Sequence, residues 1–168
     1  SLCIVTQYIS GPTIAEWLQW HKGLSFKLKS NSIRIMLKQI VASLYFLHTH
    51  SLVHGNLTSD NVFVTDKILL GEPSFSFFFR RTLGYHTAAD PRAAGRSVQD
   101  VAPEHEFGSS QIQPSEDLWA LGLLLFEMIF DGQHLYDFMF STSTSNDINM
   151  GNAAGVAKAM AERDEWIS

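Results

Sequence analysis

Apolar residues return every three or four positions at Ile33, Met36, Leu37, Ile40, Val41, Leu44 and Leu47, giving one continuous stripe. That period is helical, and Asn31 or Ser32 stands where a cap should open the helix. A second run, Leu118 to Phe130, is apolar nearly all round, the pattern of a helix buried at the centre of a fold. Val62 to Val64 and Ile68 to Leu70 are short β-prone runs, and Thr65-Asp66-Lys67 between them predicts a tight hairpin. Nearer the start, Leu2 to Val5 reads as a strand, ended by Gly11-Pro12. Thr13 with Glu16 makes a capping box that opens a helix through about Trp20, with Trp17 and Trp20 sharing a core-facing side. Ser141 to Asn149 reads as a polar loop, and Asn152 to Trp166 as a last helix with an acidic, solvated end. No stretch repeats. The pattern predicts an α+β fold, mainly α.

Composition narrows the classes of function. With 168 residues the chain can bury one domain core. Twelve Lys and Arg against 17 Asp and Glu leave a net charge of −5, which argues against a nucleic-acid partner. The single cysteine, Cys3, permits no internal disulfide and fits a reducing, cytoplasmic setting. The first residues lack the basic start and small-residue cleavage site of a signal peptide. The run from Leu118 to Phe130 is too short to span a bilayer and contains Glu127, so no membrane span is expected. His48, His50 and His54 invite a metal reading, but they lack the cysteines or the spaced carboxylate that zinc sites use.

The chemistry-bearing stretch is His54-Gly55-Asn56-Leu57-Thr58-Ser59-Asp60-Asn61, followed by Val62-Phe63-Val64. It resembles the catalytic loop of eukaryotic protein kinases, H-R-D-L-x-x-x-N. The flanks keep that family's order. Leu2 to Gly11 is similar to the strand that enters the hinge, and Ile68 to Ser74 sits where a strand should deliver D-F-G. Val101-Ala102-Pro103-Glu104 matches A-P-E, and Ser115 to Gly132 resembles the central helix of the large lobe. The resemblance implies a kinase-like C-lobe over residues 1–168, with a short hinge strand, a small β-hairpin and a central buried helix. Residues 72–104 would be its activation segment, in degenerate form.

The departures fall on the catalytic positions. In that family the loop Asp accepts the proton of the substrate hydroxyl and the loop Asn holds Mg²⁺. Here Asn61 is kept, but Asn56 stands at the Asp position, and an amide cannot act as a base. Gly55 replaces an Arg and Thr58 a phosphate-steadying Lys. Glu72-Pro73-Ser74 replaces D-F-G, with the carboxylate displaced by a methylene that Mg²⁺ tolerates badly. The resemblance implies a vestigial nucleotide cleft at Gln7, Tyr8, Ile9, Asn61, Phe63 and Glu72, with Asn61 and Glu72 the only metal candidates. Phe63 stands where kinases carry an aliphatic floor for adenine, so its ring is expected either to enter the cleft or to turn into the core. Phe75, Phe77, Phe78 and Phe79 are expected to fill cleft and core, with a partner surface as the alternative. Asp117 is expected to hold the loop backbone by hydrogen bonds. Glu104 is expected to seek an arginine in a later helix, beyond Ser168.

Neither the Gly-rich loop, the strand lysine nor the helix glutamate of a small lobe precedes Leu2, so a partial domain is expected. The expected function is that of a catalytically inactive kinase-like domain, a scaffold or allosteric partner of an active kinase or another signalling protein, without a required cofactor. Residual ATP- and Mg²⁺-dependent serine/threonine kinase activity is one alternative. Another is a small-molecule phosphotransferase of the aminoglycoside or choline kinase type, suggested by His54-Gly55. The Ala102-Pro103-Glu104 motif and the Asp117-x-Trp119-x-x-Gly122 helix favour the protein kinases. The Asn56-Leu57-Thr58 sequon is set aside, because a loop in a cleft is a poor glycan acceptor.

Overall fold

The computed structural model describes residues 6–73, 102 and 113–141. Over these the fold is mostly helical, with one small antiparallel sheet. The elements are α1 (Ile14–Trp20), α2 (Phe26–Thr49), β1 (Val62–Val64), β2 (Ile68–Leu70), α3 (Pro114–Ile129) and α4 (Leu135–Ser141). The expected hinge strand, the Asn152–Trp166 helix and the segment from Ser74 through Val101 lie outside the described residues.

Helix α1 starts as its capping box requires: the Thr13 amide donates to Glu16 Oε2 at 2.9 Å, and Thr13 Oγ1 accepts from the Glu16 amide. It ends at His21, whose ring stacks on Trp17 at 4.2 Å and donates to the Trp17 carbonyl. Ile14 and Leu18, four apart, take the inward stripe. Trp17 is half-buried against the core, whereas Trp20 is 69% exposed. The two tryptophans therefore do not share a buried face.

Helix α2 begins at Ser25, well before Asn31 and Ser32. The reason is Lys29. It lies on the same stripe as Ile33, Met36, Ile40 and Leu44, is 3% exposed, and forms an ion pair with Asp131 at the end of α3. The helix is thus held one turn and more beyond its apolar pattern. Val41, one place past Ile40, falls off the stripe and is 47% exposed.

The hairpin has the register Val62↔Leu70, Phe63↔Leu69 and Val64↔Ile68. Thr65 closes its turn, donating from Oγ1 to the Lys67 carbonyl at 2.7 Å. The Ile68 amide donates to Gln39 Oε1, fastening the hairpin to α2. On the other side the Val64 amide donates to the Pro12 carbonyl, and Thr13 bridges to Phe63.

Helix α3 is opened by Pro114 at its first position and by the Gln113 amide donating to Glu116 Oε1. It buries Glu116, Asp117, Ala120, Leu123, Leu124 and Met128, while Leu118 is 59% exposed. One face is buried, not the whole circumference. Asp131 and Gly132, both at positive φ, turn the chain into α4, a short helix with no counterpart in the sequence pattern. Ser141, expected to open a loop, is its last residue. Phe126, Phe130 and Phe138 pack together across this corner, with centroids 4.3–5.5 Å apart.

The core joins these elements: Ile14 and Leu18 from α1, Ile33 to Leu44 from α2, Val62 and Ile68 from the hairpin, and Ala120, Leu124 and Met128 from α3. Leu57, from the loop before β1, belongs to it as well, and this ties the chemistry-bearing stretch to the scaffold. No described helix is long and apolar enough to cross a membrane.

Candidate functional site

The loop from His54 to Asn61 runs between α2 and β1 and is gripped from below by α3. Asp117 is fully buried, and its carboxylate accepts from the His54 amide at 2.9 Å and the Gly55 amide at 2.7 Å. Two backbone donors converging on one buried carboxylate fix the loop's entry point. His48, at the end of α2, places Nε2 2.8 Å from the same carboxylate. Gly55 has φ +67, a left-handed conformation that suits a residue without Cβ.

His54 is 2% exposed and saturated by its neighbours: Nε2 donates to the Gly71 carbonyl at 3.0 Å, and Nδ1 accepts from the Asn56 amide at 3.3 Å. These partners select the Nε2–H tautomer of the neutral ring. His50 faces the Phe46 carbonyl. The three histidines expected to tempt a metal reading point to three different backbone or side-chain partners. Among the described residues no group of three or more His, Cys, Asp or Glu side chains converges as a metal site would.

Asn56 stands beside Glu72. Its Nδ2 donates to the Glu72 carbonyl at 3.0 Å, and its own carbonyl accepts from Asn61 Nδ2 at 2.9 Å. The Gly71 amide donates to the Asn61 carbonyl at 2.8 Å, closing the ring of contacts between the loop and the end of β2. Chemically this is a set of amide and carbonyl groups, with no proton acceptor at position 56. Glu72 has an exposed side chain and φ +43.

The ring of Phe63 lies directly on Gly71: a Cβ built there would come within 2.7 Å of Phe63 Cε2. Phe63 is half-buried, its ring lies against the end of β2, and it is not among the core residues. Thr58 is half-buried and lines a cavity of about 220 Å³ with Asp60, Glu127 and His134. Of the hinge positions, Gln7 is exposed, Tyr8 is 86% exposed and Ile9 is half-buried. Glu104 and the four phenylalanines from Phe75 to Phe79 lie outside the described residues, while Ala102 is buried.

At the expected cleft, Asn61 donates its side-chain nitrogen to the Asn56 carbonyl, so its Oδ1 is the atom left to hold Mg²⁺. Glu72 sits exposed on a left-handed backbone, and the Phe63 ring covers Gly71. Sequence reasoning missed three partners: His48 for Asp117, Asp131 for Lys29, and the Glu72 carbonyl for Asn56. A polar residue that continues an apolar stripe, as Lys29 does, was the available signal. The other two depend on where a distant backbone passes.

Comparison with known proteins agrees with the geometry. Residues 1–163 match the family described as protein tyrosine and serine/threonine kinase. A serine/threonine-protein kinase SIK3 homolog from Danio rerio is 31% identical over 140 residues, covering 79% of this chain and 11% of that protein. The serine/threonine-protein kinase GRIK1 from Arabidopsis thaliana is 31% identical over 141 residues, covering 83% of this chain and 33% of that protein. The chain thus spans a third or less of the length of these curated relatives. With a loop anchored on a buried aspartate, an antiparallel hairpin behind it and a family match along nearly its whole length, this chain belongs to the protein tyrosine and serine/threonine kinase family.

Proposed function

We propose that this kinase-family chain is a pseudokinase domain: a scaffold or allosteric partner for an active kinase or another signalling protein, working in a reducing cytoplasmic setting. The observation that carries the reading is the amide of Asn56, which faces the Glu72 carbonyl as a donor at the place where the family has a base. Losing a positioned base removes about 10²–10⁴-fold in rate. Phosphoryl transfer leans still more on charge and positioning, so the change of a phosphate-steadying Lys to Thr58 and the methylene shift at Glu72 compound the loss. Phe63 over Gly71 supports a cleft closed to adenine.

A serine/threonine kinase of residual activity is the second reading, favoured by the two relatives, both of them serine/threonine-protein kinases by name. One titration separates the two. The protein, heated with increasing Mg²⁺ and ATP, should keep one unfolding midpoint; a saturable rise would show nucleotide bound to the native state and count against the closed cleft.

A further inference from the structure

We propose that Asn56 is a latch, its side-chain amide holding the Glu72 carbonyl and so fixing the junction where the chain leaves β2. Glu72 is not glycine, yet its φ is +43, a region that L-residues enter at a cost. Its side chain is exposed, so packing of that side chain does not reward the conformation. Hydrogen bonds from the loop do. Gly71 is held at both ends, its amide by the Asn61 carbonyl and its carbonyl by His54 Nε2, and the next carbonyl is taken by Asn56 Nδ2 at 3.0 Å. Asn56 is itself immobilised through its backbone amide, bound to His54 Nδ1, and its backbone carbonyl, bound to Asn61 Nδ2.

A carbonyl can only accept, so the atom facing it must be the amide nitrogen. An ionised aspartate at position 56 would set acceptor against acceptor. The amide is therefore matched to this backbone path, and a carboxylate there would lose this hydrogen bond and weaken the junction. This holds whether or not the protein transfers phosphate.

Two measurements on the whole chain test it. In the NMR spectrum of the wild-type protein, one Asn56 Nδ2 proton should exchange with solvent about tenfold more slowly than the exposed side-chain amides. Asn56→Ala should lower the thermal midpoint by about 2–4 °C, and Asn56→Asp by more, with faster exchange at the Gly71 and Glu72 amides in both. If Asn56→Asp fails to fold, the wild-type exchange rate decides alone. Side-chain protons of Asn56 exchanging at the solvent rate would overturn the latch, as would an Asn56→Asp protein that melts at or above wild type with unchanged amides.

Discussion

Asp117 and Glu72 show opposite ways in which a single residue sets the loop. Asp117 spends a buried charge on two backbone amides and the His48 ring, so its removal leaves these donors facing an apolar hole. Asp117→Ala should destabilise the fold by about 3–5 kcal/mol, read by chemical denaturation, and Asp117→Asn by less, since one oxygen acceptor remains. Glu72, by contrast, gains nothing from its Cβ at φ +43. Glu72→Gly should leave stability unchanged or raise it by up to about 1 kcal/mol in the same assay, the relief of strain offset by added freedom of the unfolded chain. Asp117's anchoring of the loop could be expected from the kinase-like order of motifs. The partner of Asn56 could not, because it depends on the path of a carbonyl sixteen positions on.

Among the elements, α1 and the hairpin were readable because everything that makes them is local. Thr13 and Glu16 cap one, and a three-residue turn closes the other. The start of α2 was not readable. Lys29 keeps the spacing of the apolar stripe but not its chemistry, and its reason for being inward, Asp131, lies 102 positions away. This pair gives an asymmetric prediction. Asp131→Ala strands a buried ammonium, whereas Lys29→Met leaves a one-third-exposed carboxylate that water can reach. Asp131→Ala should therefore lower stability clearly more than Lys29→Met, by an added 1–2 kcal/mol or about that, in matched denaturant titrations. Where packing alone decides, Ile40→Ala at the centre of the α2 stripe should cost about 2–5 kcal/mol, because Ile40 is fully buried within the core cluster. The exposure of Leu118 on α3 was hidden by the run's uniform hydrophobicity, which carries no phase to say which side faces inward.

For the molecule as a whole, a chain of the kinase family holds its loop with buried structural residues, and the proposed loss of chemistry rests on Asn56 at the position of the family's Asp, with Asn61 kept. His54, Leu57, Asp117 and the hairpin hold the loop in shape, and the amide at position 56 belongs to that framework. The family's fold is legible in the sequence because burial and backbone anchoring dictate those residues. The identity of a partner is not, since it rests on surface that no internal packing constrains. The most direct measurement is phosphate transfer from labelled ATP with Mg²⁺ to a generic protein acceptor, comparing wild type with Asn56→Ala. Both should remain at the no-protein background. Transfer by the wild type that disappears in Asn56→Ala would contradict the account.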